Sequence, residues 1–173
     1  MSIILTSRRL TLQPLTSVHT DVMHALWTDR GVRRYLWDDM VITRERAAEA
    51  IAASDADFAA RRYGLWAVIE NESGQIAGFC GLRSSDEGAP ELLYGLWPRF
   101  WGKGLATEAA QAVLSYAFAL GHEVVVAATD VPNDASARVL ERLGMRFERR
   151  GKLNGLDTLF FRKSYQEHAS RKD

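Results

Sequence analysis

The chain has little cysteine and no excess charge of either sign. Cys80 is the one cysteine among 173 residues, so no internal disulfide can form and a reducing, cytoplasmic location is expected. Lysine plus arginine total 22, as do aspartate plus glutamate, so no broad attraction to nucleic acid or anionic lipid is predicted. No apolar run approaches the roughly 18–20 residues that span a bilayer. We therefore expect neither a nucleic-acid partner nor a membrane partner.

The histidines and the cysteine give no motif for metal or thiol chemistry. His19, His24, His122 and His168 lack the spacing at which side chains share a metal ion, so no metal cofactor is expected. Cys80 stands inside an apolar run and is expected to be a buried apolar residue rather than a nucleophile.

The apolar pattern predicts one domain over residues 1–173, with a tail that frays from about residue 165. The expected order is strand, two helices, three strands, helix, strand, helix and two strands. Predicted strands are 9–15, 65–70, 75–82, 91–97 and 123–129, followed by a last hairpin around 154–155. Helices are predicted from Val18, from Thr43, over 104–120 as the longest, and after Asn133. Residues 123–129 are almost continuously apolar, so this strand is expected to be covered on both faces.

A glycine-bearing turn at residues 99–108 is the most informative segment. It follows a predicted strand and opens a long apolar helix, so its main-chain N–H groups stand where phosphate oxygens bind. Arg99, Gly102 and Gly104 match the pattern Arg/Gln-x-x-Gly-x-Gly/Ala. Glycine permits close approach to a diphosphate and backbone angles closed to other residues. A tight strand-to-helix turn that binds nothing is the alternative.

Two better-known phosphate motifs do not fit this turn. A Walker loop requires glycine at the position of Trp97, and the dinucleotide fingerprint requires glycine at the position of Thr107. A nucleotide-binding enzyme of either class is therefore not predicted.

A second helix start, at residues 133–136, follows the strand 123–129. Asn133 is a good N-cap and Ser136 an ordinary first-turn residue, so a purely structural role is one interpretation. The other interpretation depends on the turn at 99–108. Both strands would feed helix N-termini at the same sheet edge, where a cofactor can reach both.

Residues 5–15, 91–109 and 133–145 together resemble the GNAT superfamily of acetyl-CoA-dependent N-acetyltransferases. They are most similar to its branch of ribosomal-protein N-terminal acetyltransferases. The resemblance implies an α+β (mixed α/β) acyl-CoA N-acyltransferase fold. That fold has a twisted, mixed, mostly antiparallel sheet of six to seven strands and about four helices. Its fourth and fifth strands splay apart, and acetyl-CoA lies between them.

The same resemblance assigns the cofactor contacts. Backbone groups near Leu96 and Trp97 would pair with the pantetheine arm, and N–H groups of residues 99–107 would hold the diphosphate. Asn133 would bind the arm, with Ser136 near the sulfur. The full set is Leu96, Trp97, Arg99, Trp101, Gly102, Lys103, Gly104, Leu105, Ala106, Thr107, Asn133 and Ser136.

The catalytic residues depart from the usual superfamily pattern. Many members carry a tyrosine as general acid where this chain has Leu140, which cannot protonate a thiolate. A serine has that role in the ribosomal-protein branch, which makes Ser136 the candidate acid. Glu91 is the first candidate base, directly or through water, and Asp157 is the second. The alternative for Glu91 is a solvated residue at the start of a strand. The final hairpin, where the resemblance implies a carboxylate base, looks short.

The amine acceptor is expected at the connector over residues 31–40. Tyr35, Trp37 and Asp38, with Tyr94, offer aromatic walls and a carboxylate that suit a cationic amine. A packed helix–helix connector is the alternative. The expected reaction is acetyl transfer from acetyl-CoA to a primary amine, either a protein N-terminus or a small molecule. A non-catalytic acyl-CoA-binding or regulatory module is the second hypothesis, and exposed strand edges would permit a homodimer.

Overall fold

The structure, a computed structural model, describes residues 3–86 and 88–170. Its strands are β1 (Leu5–Thr6), β2 (Leu10–Pro14), β3 (Leu65–Glu70), β4 (Ile76–Ser84), β5 (Pro90–Leu96), β6 (Val124–Asp130), β7 (Arg146–Leu153) and β8 (Leu156–Ser164). Its helices are α1 (Thr20–Thr28), α2 (Arg30–Arg33), α3 (Arg44–Arg61), α4 (Leu105–Ala119), α5 (Asp134–Arg142) and α6 (Tyr165–Ala169).

All of these strands form one sheet, in the order β1-β2-β3-β4-β5-β6-β8-β7. Neighbouring strands are antiparallel except β5 and β6, which are parallel. The mixed, mostly antiparallel sheet is therefore confirmed. The strand and helix counts exceed the expected numbers because β1, α2 and α6 contain five residues or fewer, too few to give a periodic signal.

Helices cover both faces of the sheet. On one face α4 and α5 bury Leu105, Val113 and Leu140 in a cluster that includes Leu12 and Trp66 of the sheet. On the other face α1 and α3 bury a second cluster with residues of β3 and β4, and its members include Met23, Trp27, Ile51, Ala67 and Phe79. No helix within the described ranges is long and apolar enough to cross a membrane.

Several local expectations differ from the structure. Val18 is 83% exposed because α1 begins only at Thr20, after a short 3₁₀ turn. The longest described helix is α3 with 18 residues, not α4 with 15. Residues 165–169 of the tail that is expected to fray form the short helix α6. Ser164 and Glu167 form a capping box that starts α6, while residues 171–173 lie outside the described part of the chain.

The last two strands also differ. The final hairpin is long, since β7 has eight residues and β8 has nine. Strand β6 alternates between buried and half-buried residues, so the expectation of cover on both faces is wrong. Its residues Ala127–Asp130 line an open cavity, which explains why the second face is not fully covered.

The join between β5 and β6 positions the site. Strands β4 and β5 pair at seven positions, from Gly78↔Leu96 to Ser84↔Pro90, whereas β5 and β6 pair only at Glu91↔Val126. The two parallel strands therefore diverge beyond Glu91, as the splayed-strand expectation requires. The divergence opens a cleft through the middle of the sheet.

Candidate active site

The cleft lies between the carboxyl ends of β5 and β6 and leads to the starts of α4 and α5. Strand β5 runs into a 3₁₀ turn, Pro98–Phe100, and then into the glycine turn before α4. Strand β6 runs through residues 131–133 into α5. Two helix N-termini therefore meet one opening, which is the arrangement that open α/β sheets use to bind ligands.

Both glycines of the turn adopt left-handed backbone angles. Gly102 has φ +72° and Gly104 has φ +75°, a region in which residues with a Cβ are strained. Nothing lies within 4 Å of a Cβ built on Gly102, and only the Arg9 guanidinium lies near one built on Gly104. Conformation, rather than lack of space, is therefore what requires glycine at these two positions.

The N-terminus of α4 is open. Gly104 is its N-cap residue and offers no side-chain hydrogen bond, whereas Asn133 caps α5. The first N–H groups of an α-helix have no partner within the helix, so this end of α4 fits a diphosphate.

Two cations stand beside the turn. The Arg99 guanidinium lies 5.1 Å from the centroids of both Trp97 and Phe100, and the Lys103 ammonium lies 5.4 Å from Phe100. Arg99 and Lys103 are both exposed, so both cations can reach a bound anion. Phe100 is buried and serves as the platform on which the two side chains rest.

The predicted backbone contacts near Leu96 and Trp97 are not equivalent. The Trp97 N–H donates to the Ala77 carbonyl on β4, at 2.9 Å, and is already used. The Leu96 carbonyl accepts the indole N–H of Trp101, at 2.8 Å. A carbonyl has two lone pairs, so the Leu96 carbonyl can still accept an N–H from a ligand. The Trp97 N–H has no second hydrogen to donate.

Ser136 and Tyr94 meet inside the cleft. The Tyr94 hydroxyl lies 2.8 Å from the Ser136 Oγ and donates to the Ser136 carbonyl at 3.1 Å. Asn133 fixes the same helical turn, because its side-chain oxygen accepts the Ser136 N–H. Burial raises the pKa of the Tyr94 phenol above its ordinary value, and the Ser136 hydrogen bond offsets this only in part. The phenol therefore stays protonated at neutral pH.

The far end of the cleft is a cavity of about 440 Å³ lined by aromatic and acidic residues. Tyr35, Trp37 and Asp38 all line it, together with Tyr94 and Ser136. The Tyr35 hydroxyl donates to the Pro132 carbonyl, at 3.3 Å, and so links the connector to the loop that precedes α5. The connector residues are thus brought to the site rather than packed away between two helices.

Two tryptophans form one wall of this cavity. The rings of Trp27 and Trp37 are 5.7 Å apart, and Trp27 also meets Phe79 edge-on at 5.7 Å. Trp27 is a residue that the sequence analysis missed as part of the site. Its helical spacing with Met23 is the same for a core position as for a cavity wall.

The connector is held in an uncommon backbone conformation. Trp37, Asp38 and Asp39 all have positive φ, of 58°, 52° and 60°. Arg33 stabilises this segment through an ion pair with Asp39 at 3.0 Å. Left-handed angles in three successive non-glycine residues are costly, and such strain clusters at functional sites.

The carboxylates of the site differ in their surroundings. Glu91 lines the cavity, but its side chain is 12% exposed and pairs with the Arg83 guanidinium at 2.7 Å. Asp130, at the end of β6, lines the same cavity. Burial, and then the Asp38 carboxylate, raise the pKa of Asp130 above its ordinary value. Asp157 pairs with Arg150 and Lys152 and is absent from the cavity wall.

Asp130 is therefore a second residue that sequence reasoning missed. A signal was present, because residues at the carboxyl ends of strands in open α/β sheets face the ligand crevice. The sequence shows Asp130 as the first carboxylate after the apolar run of β6.

A family model described as "Acetyltransferase (GNAT) domain" matches residues 9–146. The chain belongs to the GNAT acetyltransferase family. Among curated relatives of this GNAT acetyltransferase is an uncharacterized N-acetyltransferase, p20, from Bacillus licheniformis. It is 28% identical over 145 residues, which are 82% of each chain. The protein is accordingly an acyltransferase, in agreement with the resemblance on residues 5–15, 91–109 and 133–145.

Solved structures share the fold of this GNAT acetyltransferase. A GNAT-family acetyltransferase from Bacillus anthracis superimposes with a TM-score of 0.82 at 22% identity, covering 95% of this chain and 99% of that one. RimL, a ribosomal alpha-N-protein acetyltransferase in complex with coenzyme A, gives a TM-score of 0.80 at 19% identity, with 94% and 98% covered. Within the described residues of this acetyltransferase, no group of three metal-ligating side chains is close enough to hold a metal ion.

Proposed function

We propose that this chain transfers an acetyl group from acetyl-CoA to a primary amine that arrives as a cation. The observation that carries the proposal is the divergence of β5 and β6 after the single pair Glu91↔Val126. One end of the resulting cleft offers the open N-terminus of α4, and the other offers a wall of aromatic and acidic side chains. The first end suits an acetyl donor that carries an anionic group, and the second end suits a cationic acceptor.

The donor end of the cleft would bind and orient acetyl-CoA. Acetyl-CoA supplies an acetyl thioester, which an amine can attack directly. N–H groups of Gly102 to Thr107, with Arg99 and Lys103, would hold the diphosphate. The Leu96 carbonyl and Asn133 would hold the pantetheine arm, which brings the sulfur toward Ser136. Positioning two substrates in one cleft supplies much of the rate by itself.

Ser136 is the proposed proton donor to the departing thiolate. Its hydroxyl lies 2.8 Å from the Tyr94 oxygen, and Tyr94 keeps its own proton because burial raises the pKa of the phenol. Tyr94 would therefore orient the Ser136 hydroxyl rather than give up a proton. The buried side chain at Leu140, 1% exposed, cannot take the acid role.

The acceptor must lose a proton before it attacks, because an α-amine has a pKa of about 8 and a lysine amine about 10.4. Glu91 remains the candidate base from sequence, and Asp130 is the candidate from geometry. Among the described residues no cation pairs with Asp130, whereas Arg83 pairs with Glu91. A carboxylate whose pKa is raised by burial and by a neighbouring carboxylate is the stronger base. Asp38 and the rings of Trp37 and Tyr35 would attract the ammonium form.

A thiol-release assay with acetyl-CoA and a panel of amines tests the proposal. The panel contains peptides with free N-termini, aliphatic diamines and uncharged aromatic amines. We expect cationic amines to release CoA fastest, and we expect Ser136→Ala to lower kcat about 10²-fold with little change in the affinity for CoA. A wild-type rate in Ser136→Ala would remove this residue from the mechanism.

The second hypothesis is a module that binds acyl-CoA without turnover. Leu140 favours it, since the usual superfamily acid is missing at that position. Heat stabilisation by acetyl-CoA, with no thiol release from any amine in the panel, would favour the binder and would count against acetyl transfer to these acceptors.

A further inference from the structure

Arg9 lies next to the glycine turn although ninety-four residues separate it from Lys103 in sequence. Its main chain is fixed on both sides of the residue. The Arg9 N–H donates to Glu108 Oε1 at 2.7 Å, and its carbonyl accepts the Asn71 N–H at 2.8 Å. These two hydrogen bonds hold the Arg9 main chain between the β3–β4 turn and the first turn of α4.

The Arg9 guanidinium bonds to two parts of the donor end at once. Nε donates to Glu108 Oε2 at 2.7 Å, and Nη1 donates to the Lys103 carbonyl at 3.0 Å. Nη2 would stand 3.6 Å from a Cβ on Gly104. One planar side chain therefore connects the turn at 102–104 to the helix that follows it.

The bond to the Lys103 carbonyl sets the direction of the next N–H group. In a trans peptide the C=O and the following N–H point in opposite directions, and the barrier to rotation is high. Because the Lys103 carbonyl points at Arg9, the Gly104 N–H points away from it. Arg9 thereby fixes the orientation of one of the donors expected to face the diphosphate.

Arg9 also neutralises a charge that would oppose an anion. Glu108 is in the first turn of α4, and its side chain is 17% exposed. Burial alone would raise the pKa of Glu108. Hydrogen bonds from the Arg9 N–H, the Arg9 guanidinium and the Ser7 hydroxyl outweigh burial and lower that pKa. The carboxylate is therefore ionised, and without Arg9 it would repel a phosphate group.

We propose that Arg9 is a positioning residue for the diphosphate of the donor, acting through the Lys103–Gly104 peptide and through Glu108. This inference rests on the proposed function only in its choice of CoA as the ligand of the cleft. It predicts that Arg9 matters for ligands with a diphosphate and not for ligands that lack one.

The test compares two ligands in three variants. Calorimetry measures binding of CoA, and an NMR titration measures binding of pantetheine, which has the thiol arm and no phosphate. Arg9→Met should weaken CoA binding about tenfold and leave pantetheine affinity unchanged. Arg9→Lys should fall between, because a lysine keeps the charge but lacks the planar guanidinium that bonds to Glu108 through Nε and to the Lys103 carbonyl through Nη1. Arg8→Met, which removes an exposed neighbouring charge, is the matched control and should bind CoA as the wild type does.

Three results would overturn the inference. Equal loss of CoA and pantetheine binding would mean that Arg9 only supports the fold, and unchanged CoA binding would mean that the turn needs no anchor. A wild-type protein that binds no CoA would remove the ligand and the inference together. CoA binding without acetyl transfer to any amine would sink the proposed reaction while this inference stood.

Discussion

The two ends of the cleft are built in different ways. The proposed donor end consists mainly of main-chain groups of one contiguous segment, residues 99–107, in which Gly102 and Gly104 have φ angles of +72° and +75°. The proposed acceptor end uses side chains from several separate segments, among them Trp27, Tyr35 to Asp38, Glu91 to Tyr94, and Ala127 to Asp130. Backbone recognition of a phosphate therefore constrains local sequence, while recognition of an amine depends on which distant side chains the fold brings together.

This difference has a consequence for specificity. Main-chain N–H groups at a helix N-terminus bind any phosphate of suitable shape, so the donor end can stay the same across relatives with different acceptors. Side chains on the connector and at the end of β6 can change without loss of the sheet. The acceptor end is thus where we expect single substitutions to have the largest effects on rate.

The largest expected effect is at Asp130. Asp130→Asn keeps the shape of the side chain and removes the base, so we expect kcat/KM for the best amine of the panel to fall about 10²–10⁴-fold. Glu91→Gln is the matched comparison and should cost much less, because the Glu91 carboxylate already pairs with Arg83. Steady-state kinetics with both variants measure the difference.

The opposite ranking would also be informative. A larger loss in Glu91→Gln than in Asp130→Asn would assign the base to the residue that the sequence indicated. Asp130 would then only hold the acceptor, and its substitution should raise KM for a diamine while kcat stays close to the wild-type value.

A smaller effect is expected at the donor end. Gly104→Val places a β-branched residue at φ +75°, which strains the turn and disturbs the direction of its N–H groups. Calorimetry should show CoA binding weakened on the order of tenfold, because such strain costs roughly 1–3 kcal/mol.

Gly121→Val is the matched control for that experiment. Gly121 has φ +94°, and nothing lies within 4 Å of an added Cβ, but it follows the opposite end of α4. It should lower stability by a similar amount and leave CoA affinity unchanged. Equal loss of affinity in both variants would mean that general destabilisation, and not the turn, weakens binding.

The proposed donor end could be predicted from sequence because its signal is local. Gly102 and Gly104 are required by backbone conformation, and their spacing between a strand and a helix is visible without the fold. Asn133 and Ser136 follow the same logic, as an N-cap and a first-turn residue at a second helix start. The signal for strand β3, predicted at residues 65–70, was also local, and the strand is confirmed with the same limits.

The acceptor end could be read only in part. Tyr35, Trp37 and Asp38 were identified from their composition, but their convergence with Asp130 depends on the divergence of β5 and β6. Trp27 was missed because a helical apolar stripe looks the same whether it faces a core or a cavity. Arg9 and Glu108 were not recognised as a pair, since 99 residues separate them.

The smallest expected effect is on the pH dependence of stability, which compares one carboxylate from each end of the cleft. The pKa of Glu108 is lowered in the fold, so the unfolded chain binds more protons near that pKa and Glu108 adds stability as pH rises. The pKa of Asp130 is raised, so the folded chain binds more protons and Asp130 removes stability as pH rises. The two carboxylates therefore contribute pH slopes of opposite sign.

Urea unfolding of Glu108→Gln and Asp130→Asn at pH 7 and pH 3.5 measures these slopes. Relative to the wild type, Glu108→Gln should be less stable at pH 7, and Asp130→Asn should be more stable there. Both differences should shrink at pH 3.5, where the carboxylates gain protons. Shifts in midpoint on the order of 0.3 M are expected, since partly exposed charges contribute under about 1 kcal/mol. Shifts of the same sign at pH 7 would mean that the ionised form of Asp130 is stabilised by its surroundings, as that of Glu108 is. The proposed difference between the two ends would then be wrong.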